Sequence, residues 1–410
     1  MAYVYLGLSY DVLGEYQREK EPLRKAFALR DRASEREKFE IVANYYASVT
    51  LQVEQTIQNC ELWEQSYPRD AMPHGILGVE NGVLAKYERS ANEFRKAIEL
   101  EPSKALPYGG LMIDLMALDR PLEARAVYQE AQARKVDAGE IERLRYLLAF
   151  VEGDMDMVAR LATSLSSEPG YEGRALSEQS NTAAYFGRLG AARDLSRRSE
   201  KKALSEKDKG TAAAIESDAG VREALFGNAA VAHSHALAAV KLGGDPTFYV
   251  MALVLAGDTA QATKVLDRIV GQTPPGSFND KAFIPEVRGA IELKRGRPTQ
   301  ALKFLTSAAA YEAGWVVSYR PAYLRGEAYL LANRGQEAAS EFQKIINHRG
   351  VVGNQPYSAL AHLGLARAYT MQGDASAART AYEDFLKIWK DADPEIPILK
   401  QAKAEYAKLQ

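Results

Sequence analysis

The stretch AMPHGILGVENGVLAKYERSANEFRKAIELEPSK, Ala71 to Lys104, is one full period of a pattern that runs along the chain. Its second half carries a small residue, Ser90, a large apolar residue four places on, Phe94, then Ala97 and a closing Pro102. Compact residues recur at the place of Ser90: Thr56, Ser90, Ala124, Val158 and Ala192 at steps of 34, then Ala232, Ala262, Ala301, Ala338 and Ala378 at steps of 40, 30, 39, 37 and 40. Cys60, Phe94, Tyr128, Leu266, Leu305, Phe342 and Tyr382 follow four residues later, on the same helical face. A fixed period of this length predicts stacked helical hairpins, each too small to bury its own apolar face.

Within the period, Leu77-Gly78, Ser90, Phe94, Ala97 and Pro102 resemble the tetratricopeptide frame. Other units keep other letters: Tyr3, Leu6-Gly7, Tyr10, Gly14 and Ala26 in the first, Gly326, Tyr329, Ala338 and Phe342 in the tenth, Leu365-Ala366, Tyr369, Gly373, Ala378 and Tyr382 in the last. The resemblance implies an all-α fold, a right-handed superhelical solenoid of about eleven helix pairs, with the first helix of each pair lining the concave side. Units are expected near 1–36, 37–70, 71–104, 105–138, 139–172, 173–212, 213–242, 243–281, 282–318, 319–358 and 359–393, the fifth to seventh being the most degenerate. Residues 394–410 read as a capping helix, with Ile398, Leu399, Ala402, Tyr406 and Leu409 on one face and Lys400, Lys403, Glu405 and Lys408 on the other.

The recurring letters have physical roles. Gly or Ala in a first helix lets the second approach closely. Gly14, Gly153, Gly257, Gly296 and Gly373 fit helix ends with a left-handed backbone. Asp154, Asp258 and Asp374, each next after such a glycine, can cap the following helix. Pro68, Pro102, Pro169 and Pro274 stop second helices. The repeats that the chain resembles imply a Thr-Gly-Asp turn where it has Thr50-Leu51-Gln52, a departure that predicts a strained or lengthened turn.

Net charge −2 argues against a nucleic-acid surface. The longest apolar run, Phe248 to Ala256, is too short to span a membrane. A single cysteine, Cys60, excludes an intramolecular disulfide and stands where other units place an aromatic ring, so it reads as a buried apolar residue. The start Met1-Ala-Tyr-Val-Tyr5 lacks a signal-peptide pattern. A cytoplasmic setting is expected, the alternative being the extracytoplasmic part of a membrane-anchored parent. With no capping residue before Ala2, the chain opens inside its first helix, and a segment upstream is expected.

Chemistry-bearing motifs are sparse. His233 and His235 are two apart and point to different sides of a helix, and His74, His348 and His362 are isolated in sequence. Ser199-Glu-Lys-Lys202 matches S-x-x-K without its companion motifs, in a charged stretch from Arg197 to Lys209 that reads as a solvated helix and a longer loop. Asn347-His-Arg-Gly350 lacks the Asp of a kinase catalytic loop. No catalytic residue, cofactor or metal is expected. Arg18 to Glu40 alternates in sign and reads as an ion-paired exposed face.

Stepping along the first helices of the third and fourth units gives a candidate groove of Met72, Gly75, Val79, Gly82, Leu106, Gly109, Ile113 and Met116. It is apolar, with glycines leaving room, and suits a protein or peptide ligand such as an amphipathic helix. A clamp for a C-terminal carboxylate is not expected, because the comparable places hold Val4, Leu8, Ile41, Tyr45, Gly75 and Val79.

Several stretches outside the repeat letters resemble the repeat region that follows the kinase domain in bacterial eukaryotic-like serine/threonine kinases, notably of acidobacteria. They are Arg32 to Phe39, Asn181 to Arg188, Tyr323 to Tyr329, Glu341 to Ile345 with His348 to Gly350, and Trp389 to Leu409. The resemblance implies the recognition or sensory arm of a signalling protein, with a kinase domain in a parent chain. The alternative is a regulatory module that binds a small peptide or ligand and transmits a conformational change to an attached kinase or transcription-factor domain.

Overall fold

The structure, a computed structural model, describes residues 1–409 except 13–15, 137, 169 and 244, and only the backbone at 11, 12, 16, 17 and 138. Gly14 and Pro169, expected to end helices, lie outside the described residues. The fold is all-α, a repeat solenoid of helical hairpins, and it forms two compact bodies.

The N-terminal body comprises residues 1–165 with two short later segments, 273–281 and 313–316. Its hairpins are α1 (Ala2–Val12) with α2 (Tyr16–Ala28), α3 (Glu35–Asn44) with α4 (Val53–Ser66), α5 (Ala71–Val83) with α6 (Tyr87–Leu100), α7 (Ala105–Ala117) with α8 (Pro121–Ala133), and α9 (Ala138–Glu152) with α10 (Met155–Ser167). The C-terminal body comprises 166–272, 282–312 and 317–410. It holds α11 (Glu172–Tyr185) with α12 (Leu189–Ser205), α13 (Lys209–Leu225) with α14 (Ala229–Leu242), α15 (Pro246–Leu255) with α16 (Thr259–Gln272), and α17 (Ile284–Lys294) with α18 (Pro298–Ser307). Then follow α19 (Arg320–Leu331) with α20 (Gly335–Asn347), the short α21 (Arg349–Val352), α22 (Pro356–Gln372) with α23 (Ala375–Ile388), and the terminal α24 (Pro397–Ala407).

The turn inside a hairpin is set by one residue, five before the compact residue of the repeat. It is left-handed at Leu51, Ala85, Asp119, Gly153, Gly187, Gly227, Gly257, Gly296, Asn333 and Gly373. Glycine takes this conformation without penalty; Leu51 at φ 54° and Ala85 at φ 56° do so at a cost. At Leu51 the chain adjusts further: Tyr45–Thr50 widen into a π-helical segment before the turn. The expected caps are present, Asp154 Oδ1 accepting from Met157 N at 3.0 Å, Asp258 from Gln261 N at 3.0 Å and Asp374 from Ala377 N at 3.0 Å.

Packing between hairpins follows from the ring four residues after the compact position. A β-carbon added at Gly78 or Gly110 would overlap the Phe94 ring, and one at Gly326 or Gly364 would overlap Phe342. Each ring therefore wedges between its own first helix and that of the next hairpin. Such interdigitation at close helix approach is what welds neighbouring units into one core.

Two expectations are corrected. The 40-residue step between Ala192 and Ala232 does not produce a long loop: the extra residues lengthen α12 and α13, and only residues 206–208 separate them. Glu405, assigned to the solvated face of the capping helix, turns inward to accept from Tyr382 Oη at 3.0 Å and to pair with Arg367 at 3.0 Å. The apolar side of that helix does cover the array, with Leu399 and Ala402 buried.

Within the C-terminal body the end of the chain also reaches back. The Trp389 indole N–H donates to Tyr185 O at 2.9 Å, and its ring meets Phe226 edge-on at 5.0 Å. Asp393 accepts from Gly190 N at 2.6 Å and its own N–H donates to Gly187 O at 3.0 Å. Pro397 lies over Gly227, and Ile398 N donates to Phe226 O at 3.2 Å. A β-carbon at Gly187 would collide with Ala392 and Trp389.

Candidate interaction surface

The stripe along α5 and α7 is only partly open. Leu106 is 58% exposed. Met72, Gly75, Val79 and Ile113 are half-buried, and Gly82, Gly109 and Met116 are buried. Gly75 looks onto open space: a β-carbon there meets nothing within 4 Å. Gly109 faces Leu144 of α9, and Met116 belongs to the core around Phe94 and Met112. Gly82 is covered by Trp315, whose ring would lie 3.0 Å from an added β-carbon.

Trp315 belongs to one of the two segments that the later chain contributes to the N-terminal body. The Tyr87 hydroxyl donates to Ala313 O and anchors that segment. The other segment is held by Phe278 N donating to Leu51 O at 2.7 Å and by Lys281 pairing with Glu54 at 2.6 Å, while the Phe278 ring packs on the core around Val53 and Trp63. Motif reasoning missed both segments. Their signal was in the spacing, since the steps of 39 and 37 residues fall where they leave the array. Trp315 and Val316 themselves remain 43% and 41% exposed, so the stripe ends beside an apolar surface.

On the same two helices, Glu80 and Asp114 stand 34 residues apart at equivalent places, both buried. Burial raises each carboxyl to about 8, so both are protonated at neutral pH. Ser90 donates to Gly78 O at 2.7 Å and lies within hydrogen-bond reach of the Asp114 carboxyl.

The C-terminal body carries a row of charge on its first helices. Arg222, 2% exposed, donates to Ser180 Oγ at 2.9 Å and Ser196 Oγ at 2.7 Å. Glu223, 1% exposed, is held by both Arg193 Nε at 2.6 Å and Arg193 Nη2 at 2.8 Å. Asp218, on the same helix, is exposed, with Arg222 and Arg320 near enough to favour its charged form. Arg320 is paired with the buried Glu286. In both pairs the glutamate is buried while its arginine reaches solvent.

The isolated chemistry-bearing residues find structural partners. Ser199 is buried and donates to Gly173 O at 2.8 Å. Burial pushes the Cys60 thiol well up, which disfavours the reactive thiolate. His233 faces Asp258 at 3.2 Å and His235 faces Glu216 at 2.7 Å, on opposite sides as expected. His348 Nδ1 sits 2.7 Å from Lys344 O and its ring stacks on Tyr319. The fold brings His74 against Glu93, at 2.8 Å, with Glu64 close by. The alternating charges near the N-terminus do pair, Lys38 with Asp31 at 2.7 Å and Arg36 with Glu40 at 3.0 Å. No helix among the described residues is long and apolar enough to cross a membrane.

No family model matches the chain, and no curated protein matches it. Among solved structures, it is similar to the crystal structure of yeast Tom70 at 13% identity and TM-score 0.38, over 100% of this chain and 95% of that one. It is similar to the APC/C hetero-tetramer Cut9–Hcn1 at 13% identity and TM-score 0.36, over 99% and 89%, and to the P58(IPK) TPR domain at 16% identity and TM-score 0.24, over 83% and 98%. At this degree of overlap neither function nor partner carries across.

Proposed function

We propose that the chain is a non-catalytic scaffold that binds a protein or peptide, with an amphipathic helix as the ligand that best fits the stripe on α5 and α7. The observation that carries this is the open segment of that stripe: exposed Leu106, half-buried Met72, Val79 and Ile113, and Gly75 with nothing above it. A gap over glycine flanked by apolar side chains accepts a bulky anchor, and anchors at helical spacing on a ligand match the spacing of the stripe. Trp315 at the end of the stripe adds an aromatic contact of the kind that dominates binding energy. The finer reading, the recognition or sensory arm of a bacterial signalling protein, rests on the stretches that resemble kinase-associated repeats.

The test is fluorescence anisotropy with a panel of labelled amphipathic helical peptides carrying apolar anchors at i, i+4 and i+7. Gly75→Trp places a bulky ring where an added β-carbon meets nothing within 4 Å, and Leu106→Asp places a charge on an exposed position; far-UV circular dichroism checks that both variants keep the fold. Binding that is lost in both variants supports the reading. Binding indifferent to both, or no preference over scrambled peptides, refutes this surface. The signalling role is tested by the gene upstream of Met1: an in-frame kinase or transcription-factor domain supports it, and a free-standing reading frame refutes attachment.

A further inference from the structure

Glu64 on α4, His74 on α5 and Glu93 on α6 come from two consecutive hairpins and meet at one point. Their donor atoms, one from each side chain, all lie within 4.8 Å of one another. The imidazole is 4% exposed and the Glu93 carboxylate 17%, with His74 Nδ1 2.8 Å from Glu93 Oε2. Among the described residues no lysine or arginine forms an ion pair with Glu64 or Glu93. Of the other buried carboxyls, Glu40, Glu223 and Glu286 are each paired with an arginine, and Glu80 and Asp114 are held neutral by burial. Here two carboxylates converge on a single buried imidazole. A hydrogen bond from His74 to Glu93 explains that one contact; it does not explain the approach of Glu64, which adds a second negative charge.

We propose that Glu64, His74 and Glu93 form a binding site for a divalent first-row transition cation, with zinc as the representative ion. The donor set is one imidazole nitrogen and two carboxylate oxygens, which suits zinc rather than the all-oxygen shells of calcium and magnesium. Zinc–ligand distances of about 2.0–2.2 Å require the donors to draw in. The two glutamates, on long and partly solvated side chains, do this by rotation, while the buried imidazole stays as the fixed point. Three protein ligands leave a fourth position for water or a partner's side chain. A bound ion would tie α4 to α5 and α6 and so lock the second hairpin onto the third, next to the Met72 end of the open stripe.

The experiment uses the full chain, stripped of metal with a chelator and dialysed. Zinc is titrated by calorimetry, cobalt(II) by visible absorption, and thermal unfolding is followed with and without zinc. Expected are one equivalent of zinc, cobalt bands of a low-symmetry tetrahedral or five-coordinate site, and a zinc-dependent rise in Tm. Changing an outer-shell partner of a metal typically costs 10–100-fold in affinity, so loss of a ligand in Glu64→Gln or Glu93→Gln should cost at least about tenfold. Both substitutions are isosteric and lie at partly solvated positions, so the fold should persist. His233→Ala with His235→Ala should leave binding intact. Absence of cobalt bands and zinc heat, binding unchanged in both glutamine variants, or binding lost only with His233 and His235 would overturn the assignment.

Discussion

Asp114→Asn should make the protein less sensitive to pH, and the size of the effect follows from where the carboxyl sits. Asp114 is 2% exposed, and burial raises its folded value to about 8. The unfolded chain releases that proton near pH 4, at the ordinary aspartate value. Between these limits the folded protein holds a proton that the unfolded chain has lost, so stability falls as pH rises. For one group this amounts to roughly 3 kcal/mol between pH 5 and pH 7. Glu80, also raised to about 8, adds a second slope of the same sign. An asparagine has nearly the same shape and cannot titrate. Urea unfolding of wild type and Asp114→Asn at pH 5, 6 and 7 measures the difference. The variant should lose roughly 3 kcal/mol less than wild type over that interval. Parallel pH dependences for the two proteins would mean that Asp114 is ionised when folded, and the account of these helices as holding neutral acids would be refuted.

Two glycines separate backbone from side-chain effects. Gly296→Ala should destabilise by about 1 kcal/mol, because its φ is 72° although nothing lies within 4 Å, whereas Gly75→Ala in the interior of α5, equally open, should stabilise by up to about 1 kcal/mol; equal shifts in denaturant midpoint would contradict this. Ala97→Glu puts an unpaired carboxylate at a position 1% exposed and should cost roughly 3 kcal/mol or more; a melting temperature equal to wild type would break the assigned frame of the third hairpin. Trp389→Ala removes a side chain 2% exposed together with its bond to Tyr185 O, at a cost of about 3–5 kcal/mol by calorimetry; a loss below 1 kcal/mol would mean that the contact is incidental.

The repeat was legible because its letters are packing constraints. Ser90, Ala124, Ala301 and Ala378 are wholly buried at the compact position, and Phe94 and Phe342 need the glycines opposite them. The turn rule was only half legible. Gly153, Gly257, Gly296 and Gly373 announce a left-handed residue, but Leu51, Ala85, Asp119 and Asn333 adopt the same conformation without glycine, held there by the helices on either side. At the candidate site, Met72, Gly75, Val79 and Leu106 could be placed from helical spacing alone. Trp315 and Phe278 could not, because residues more than 200 positions away follow no local period. The meeting of Glu64, His74 and Glu93 was hidden for the same reason: separations of 10 and 19 residues match no metal motif, and only the crossing of three helices brings them together.

The return of Trp389, Asp393 and Pro397 onto residues 185–228 changes how the C-terminal body can come apart. An open-ended stack unravels from its last member, each hairpin leaving at the expense of one neighbour. Here the last member is bonded to the first, so fraying must break two seams at once. Amide protons of α22 and α23 should therefore exchange together with those of α11 and α13, as one cooperative block. The same closure delays assembly. Contacts spanning some 200 residues form only after the intervening hairpins exist, so the body cannot lock until its final residues are made.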